Sequence, residues 1–306
     1  MASLAGKKIP VHIEVATHPS AELYDTIRQH VQDFLRQHEV FRVGTLELPP
    51  DNALATHVEK ICVAQLGSTK HHAQEISSVS FWQADLQVHV FTLSDMDPEA
   101  DVLESADGDS DEMSPCSQWL LPRRDFEGLW DSLVLEPNVK ERLVEFASSA
   151  LRFAGSGVKD HIISANRMIF LHGPPGTGKT TLCKALAQKL SVRMSHMYES
   201  TVLVEIHSHS LFSKWFSESG KLVARLFEHI QELVDEPSTL VCVLIDEVES
   251  LTSARASAMG GSEPSDAVRV VNAMLTQLDR LKRNHNVLTL CTSNLSSAID
   301  AAFIDR

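Results

Sequence analysis

Apolar and polar positions alternate through Val11-His-Ile-Glu-Val15, the pattern of a strand with one covered face. From Glu22 to His38 the spacing changes, and Leu23, Ile27, Val31, Phe34 and Leu35 fall on one stripe of an amphipathic helix. β-like runs return at Val58 to Leu66 and at Val79 to Leu93, so residues 1–93 read as a small α+β unit. Beyond Trp119 helical patterns alternate with short apolar runs. A helix is expected around Asn138 to Phe153, and strands at Arg167-Met-Ile-Phe-Leu171, Val241-Cys-Val-Leu-Ile245 and Val287-Leu-Thr-Leu-Cys291. Strands with no exposed face belong to helix-covered parallel sheets, so residues 119–306 are expected to form an α/β unit with a parallel sheet and helices on both faces.

Charge separates the two units. From Ser94 to Ser117 nine acidic residues, among them Asp95, Glu104 and Asp111, occur without a Lys or Arg, which makes residues 94–118 an expected flexible acidic linker. Over the whole chain 41 acidic residues outnumber 27 basic ones, a net charge of -14, which disfavours a protein that neutralises nucleic-acid phosphates. No stretch has the run of apolar residues that a membrane span needs, and the opening Met1 to Pro10 lacks the apolar core of a secretory signal. These features point to the cytosol or nucleus. The five cysteines are scattered without a C-x-x-C pair and are expected as reduced structural thiols, and the 15 histidines lack metal-ligand spacing.

The strongest chemical signal is Gly173-Pro174-Pro175-Gly176-Thr177-Gly178-Lys179-Thr180, which fits G-x-x-x-x-G-K-S/T between a strand and the helical sequence from Thr181 to Leu190. Glycines there let backbone N–H groups converge on ATP phosphates, Lys179 reaches the terminal phosphates, Thr180 ligates Mg2+, and Thr181 continues the nucleotide-binding turn. Some 65 residues later the run Val241 to Ile245 ends in Asp246-Glu247. A carboxylate at that strand end can hold the metal, and its neighbour can polarise the attacking water. The third run leads to Asn294, whose amide suits contact with the γ-phosphate and the water together.

The chain resembles the pachytene checkpoint protein 2 family, also called thyroid hormone receptor interactor 13, within the AAA+ superfamily of P-loop NTPases. The likeness runs through Leu129-Trp-Asp-Ser-Leu133, the phosphate loop, Leu182 to Leu190, Ser208 to Lys221, Leu244 to Leu251, Glu263 to Asp266 and Arg269 to Asn272. The first hundred residues share mainly the His12 to Val15 strand and the general layout. The resemblance implies a homohexameric ring that converts HORMA-domain proteins of the spindle checkpoint and meiotic chromosome axis from closed to open forms. Residues 1–93 would receive substrate from a HORMA-like adaptor. Trp215 and Phe216 match the aromatic pore loop that grips polypeptide, and Arg306 matches the finger that one subunit offers to the next. Sites in the nucleus, on chromosomes and kinetochores, and in the cytoplasm follow from the same likeness. The family's C-terminal helical lid is expected to be absent from these 306 residues. That leaves a second reading: a hydrolysis-deficient protein that binds nucleotide and adaptor without remodelling.

Overall fold

The computed structural model describes residues 8–19, 24–49, 51–67, 76–97, 116–156, 166–208, 219–250 and 265–294. The chain opens with β1 (Ile9–Thr17) and α1 (Tyr24–Leu35), followed by β2 (Val40–Phe41), β3 (Gly44–Leu46), β4 (Val58–Leu66), β5 (Val79–Ser80) and β6 (Ala84–Thr92). Four of these strands form a sheet in the order β3-β4-β1-β6, with β1 antiparallel to β4 and parallel to β6, while β2 and β5 pair separately. Val11, Ile13 and Val15 point from β1 into a core completed by Ile27, Val31, Phe34 and Leu35 of α1. The helical stripe therefore falls as its spacing predicts, on a helix that ends at Leu35, before the His38 end of the periodic sequence.

The second sheet contains β7 (Cys116–Leu121), β8 (Met168–His172), β9 (Ser200–His207), β10 (Thr239–Asp246) and β11 (Val287–Ser293) in the order β7-β9-β10-β11-β8. Its helices are α2 (Leu129–Ser132), α3 (Val139–Ala154), α4 (Lys179–Arg193), α5 (Ser219–Val234) and α6 (Ser265–Leu281). Both faces of the sheet are covered. Val241, Val243 and Ile245 of β10 pack with Val223, Leu226 and Phe227 of α5, whereas Leu240, Cys242 and Leu244 pack with Leu151 of α3 and Leu186 of α4. This accounts for the absence of a polar alternation in β10.

Two expectations change. The sheet is parallel from β9 through β10 and β11 to β8, but β7 joins antiparallel to β9 and makes it mixed. In addition, Cys116, Ser117 and Gln118, placed in the acidic linker by the sequence, form the first half of β7, where Cys116 is buried opposite Ile206. Acidic composition cannot find an uncharged strand attached to the end of such a stretch. The other end is also tied, because Ser94 N–H donates to the Pro122 carbonyl at 2.8 Å and Arg124 Nε to Asp95 Oδ1 at 2.9 Å. Residues 98–115 lie outside the described part of the chain.

The polar face of β1 is covered as well. Glu14 meets the far end of α4, where Lys189 Nζ stands 2.6 Å from Oε2 and Arg193 Nε 3.4 Å from Oε1. Arg193 also donates from Nη1 to Gln65 Oε1 of β4 at 3.1 Å. Beside them His12 Nδ1 lies 3.1 Å from His89 Nε2, with the rings stacked. Burial, followed by the Arg193 charge, holds His12 down to about 2 and His89 to about 3, so both are neutral near neutral pH. For Glu14, burial alone would raise the carboxyl, but the fields of Lys189 and Arg193 outweigh it and the net shift is downward.

Glu14→Ala is expected to leave two buried cations without their carboxylate and to lower stability by roughly 3–5 kcal/mol. Because the folded carboxyl titrates below its ordinary value of 4.5, its contribution is complete above that pH and disappears as pH falls through the folded value. Denaturant unfolding of wild type and Glu14→Gln should therefore converge as the pH is lowered below 4.5.

Candidate functional site

The carboxyl ends of the parallel strands converge on one edge of the second sheet, where open α/β sheets bind ligands. β8 ends at His172 and passes into the loop Gly173 to Gly178, and α4 begins at Lys179. Gly178 caps the helix in the left-handed region at φ 80°, a conformation that costs an L side chain roughly 1–2 kcal/mol. Its carbonyl accepts the first helical hydrogen bond, from Leu182 N–H at 2.8 Å. The opening N–H groups of α4 have no intrahelical acceptors and carry the positive end of the helix dipole, a local site for an anion.

The loop is braced from inside and outside. Thr177 Oγ1 donates to the Pro174 carbonyl at 2.9 Å, and Lys179 Nζ donates to the carbonyls of Gly173 and Pro174 at 2.9 and 2.8 Å. Gly173 N–H donates to the Ser293 carbonyl at 3.2 Å, which fastens the loop to the end of β11. Pro175 and Gly176 are exposed at the crest, and Thr181 is half-buried in the first turn of α4.

Acidic residues approach from β10. Asp246 closes that strand, and its Oδ1 accepts from Thr180 Oγ1 at 2.8 Å and from the Thr292 hydroxyl. The next residue, Glu247, has φ 56°, an unusual conformation for a side chain with a Cβ. Its N–H donates to Thr292 Oγ1 at 3.1 Å, while its carbonyl accepts from Ser250 Oγ at 2.7 Å. On the other side of the same peptide, Ser208 Oγ donates to the Asp246 carbonyl at 2.7 Å. Asn294 follows β11, and its N–H donates to Glu249 Oε1 at 3.0 Å.

The structure thus brings the phosphate loop, Lys179, Thr180, Asp246, Glu247 and Asn294 to one edge. Trp215, Phe216 and Arg306 lie outside the described residues. Three participants were not singled out from the sequence. Glu249 had a visible signal, being an acidic residue two positions after Glu247. Thr292 is one of three hydroxyl residues in β11, with Thr289 and Ser293, and Ser208 carries no local signal, since its role depends on the pairing of β9 with β10. The hydroxyl and carboxylate oxygens of Thr180 and Asp246 form the hard-oxygen pair that Mg2+ prefers, so the residues present fit that ion. Cys183, on α4, is protonated: burial first, then the nearby Cys291 and Asp246, pushes its thiol far up.

Comparison with known proteins agrees with this layout. Residues 169–306 match the model of the ATPase family associated with various cellular activities, and residues 6–96 match the TRIP13 N-terminal domain. The pachytene checkpoint protein 2 homolog of Arabidopsis thaliana is 48% identical over 303 residues, covering 98% of this chain and 63% of that protein. The solved structure of C. elegans PCH-2 superposes with a TM-score of 0.73 at 36% identity, covering 98% of this chain and 70% of that one. An E. coli MS115-1 HORMA:CdnC:Trip13 complex shares the fold at 20% identity and a TM-score of 0.52, covering 62% of this chain and 66% of that one. The chain spans about 63% of the length of the first curated relatives it matches.

Gly176 and Gly178 have φ of 77° and 80°; a Cβ on Gly176 meets nothing within 4 Å, and one on Gly178 meets only the tip of Leu133 at 2.9 Å. Backbone strain dominates in both cases. Gly176→Ala and Gly178→Ala are each expected to cost roughly 1–2 kcal/mol in denaturant unfolding. A loss at Gly178 that exceeds the loss at Gly176 should be recovered in the double variant with Leu133→Ala.

Proposed function

The chain belongs to the pachytene checkpoint protein 2 homologue family, and we propose that it provides the ATP-hydrolysing centre and adaptor-binding domain of a ring ATPase that remodels HORMA-domain proteins. The observation that carries this reading is the 2.8 Å contact between Thr180 of the phosphate loop and Asp246 at the end of β10, with Glu247 next in the chain. It joins a phosphate-binding helix start to a metal carboxylate and a base, the parts that phosphoryl transfer to water requires.

In this reading the N–H groups at the start of α4 and the Lys179 ammonium hold the β- and γ-phosphates of ATP. Thr180 and Asp246 hold Mg2+. When bound, the ion neutralises charge that develops on the phosphate oxygens. Glu247 accepts a proton from the attacking water and orients it for in-line approach. The Asn294 amide contacts both that water and the γ-phosphate. Arg306 acts on the nucleotide of the adjacent subunit in a homohexamer, and Trp215 with Phe216 grips the extended substrate.

Residues 1–93 receive a HORMA-like adaptor carrying its HORMA partner, in the nucleus and cytoplasm. The family supports this assignment, as does the presence of HORMA and Trip13 together in the E. coli complex. The excess of acidic residues argues for polypeptide rather than nucleic acid as substrate.

Glu247→Gln keeps the shape of the side chain and removes the base. It is expected to retain ATP binding and to lose turnover by on the order of 10²- to 10⁴-fold. Turnover measured with and without adaptor and HORMA substrate should rise when both are present. Unchanged turnover in Glu247→Gln would place the base elsewhere, whereas wild-type ATP binding without turnover would favour a nucleotide-dependent binding module.

A further inference from the structure

The ladder between β10 and its neighbours ends at the pairs Asp246↔His207 and Ile245↔Cys291. The Asp246–Glu247 peptide lies at that boundary, where strand-to-strand hydrogen bonding stops. Its two polar groups are taken up by side-chain hydroxyls from opposite sides. Ser208, one residue beyond β9, donates to the Asp246 carbonyl at 2.7 Å, and Thr292, in β11, accepts from Glu247 N–H at 3.1 Å. Both hydroxyl residues are about 2% exposed.

Thr292 has a further constraint. A hydroxyl has one proton, and this one is directed to Asp246 Oδ1, so the lone pairs are what remain for the Glu247 N–H. One side chain therefore fixes both the metal carboxylate and the backbone of its neighbour. That neighbour has φ 56°, a conformation that persists only where its surroundings hold it. A peptide rotated about its flanking bonds would carry the Glu247 side chain away from the edge shared with Lys179 and Asn294.

We propose that Thr292 and Ser208 are positioning residues that clamp the Asp246–Glu247 peptide from the two adjacent strands and so aim the Glu247 carboxylate. The role assigned to Glu247 rests on the proposed ATPase function; the clamp itself is a property of the peptide and can be measured without turnover.

The test compares Thr292→Val, which keeps the shape and removes the hydroxyl, with Thr292→Ser, which keeps the hydroxyl, and with Ser208→Ala. Amide hydrogen exchange at Glu247 is read in the purified chain, followed by ATP affinity and turnover. Thr292→Val is expected to speed exchange at Glu247 by on the order of 10- to 100-fold, while exchange in the middle of β10 stays unchanged. It should lower kcat by a similar factor with KM within about two-fold of wild type, because an orienting defect appears in the transition state. Thr292→Ser should restore both, and Ser208→Ala should produce the same pattern more weakly.

Wild-type exchange at Glu247 in Thr292→Val would overturn the proposal. So would a uniform rise in exchange across β10, a parallel loss of ATP affinity and turnover, or failure of Thr292→Ser to rescue. If Thr292→Val does not fold, local acceleration at Glu247 in Ser208→Ala supports the clamp and its absence overturns it. A chain that does not hydrolyse ATP removes the proposed function, and exchange alone then decides the clamp.

Discussion

Helix α4 carries the phosphate loop at its first turn and the N-terminal sheet at its last. The buried ion pair between Glu14 and Lys189, with Arg193 beside it, determines how those two parts are held relative to each other. Removing such charges from water costs several kcal/mol per ion, and their mutual attraction restores about that much, so the pair contributes little net stability. Its effect is geometric. An apolar contact would tolerate sliding between β1 and α4, whereas a carboxylate fixed by an ammonium and a guanidinium tolerates very little. Gln65 and the neutral His12–His89 pair occupy neighbouring positions, and they complete a polar layer between the two hydrophobic cores.

At the opposite end of α4 the problem is reversed. Acidic groups and phosphate-binding N–H groups must approach each other without a covering core. The solution is a set of short hydroxyl side chains, Thr180, Ser208, Ser250 and Thr292, that take up polar atoms where the sheet ladder ends. Hydroxyls suit this task because each both donates and accepts within a small radius. The strain concentrated there, at the left-handed Glu247, is bounded by these bonds.

Much of this was legible in the sequence because the informative patterns are local. The phosphate loop, the strand ending in Asp246-Glu247, the helix near Asn138 to Phe153 and the strand Val58 to Leu66 each depend on residues within one short window. What escaped depends on pairing between distant segments. β9 is apolar around Glu205, whose carboxylate is reached by Lys184 of α4 at 2.9 Å, so a charge in the run concealed a central strand. β7 begins inside an acidic stretch and becomes a strand only because β9 offers an edge. The alternation in β1 suggested a solvated polar face, and only the arrival of α4 turns Glu14 inward. Ser208 and Thr292 acquire meaning from the order β9-β10-β11, which no window of sequence contains.

The two ends of α4 are one mechanical element. A helix of 15 residues is about 22 Å long and is stiff on that scale, with both of its faces packed through Leu186, Leu190 and Val192. A displacement of the Lys179 end can be absorbed within the helix only by breaking its hydrogen bonds, so it passes to Lys189 and Arg193. There it meets a buried carboxylate in a strand shared with the N-terminal core, where separation is costly because the charges would remain unsolvated. Force applied to the N-terminal sheet reaches the phosphate loop along α4, while Ser94 and Arg124 offer a separate path to the end of β7. The polar layer is therefore placed where a loose contact would uncouple the N-terminal sheet from the phosphate loop.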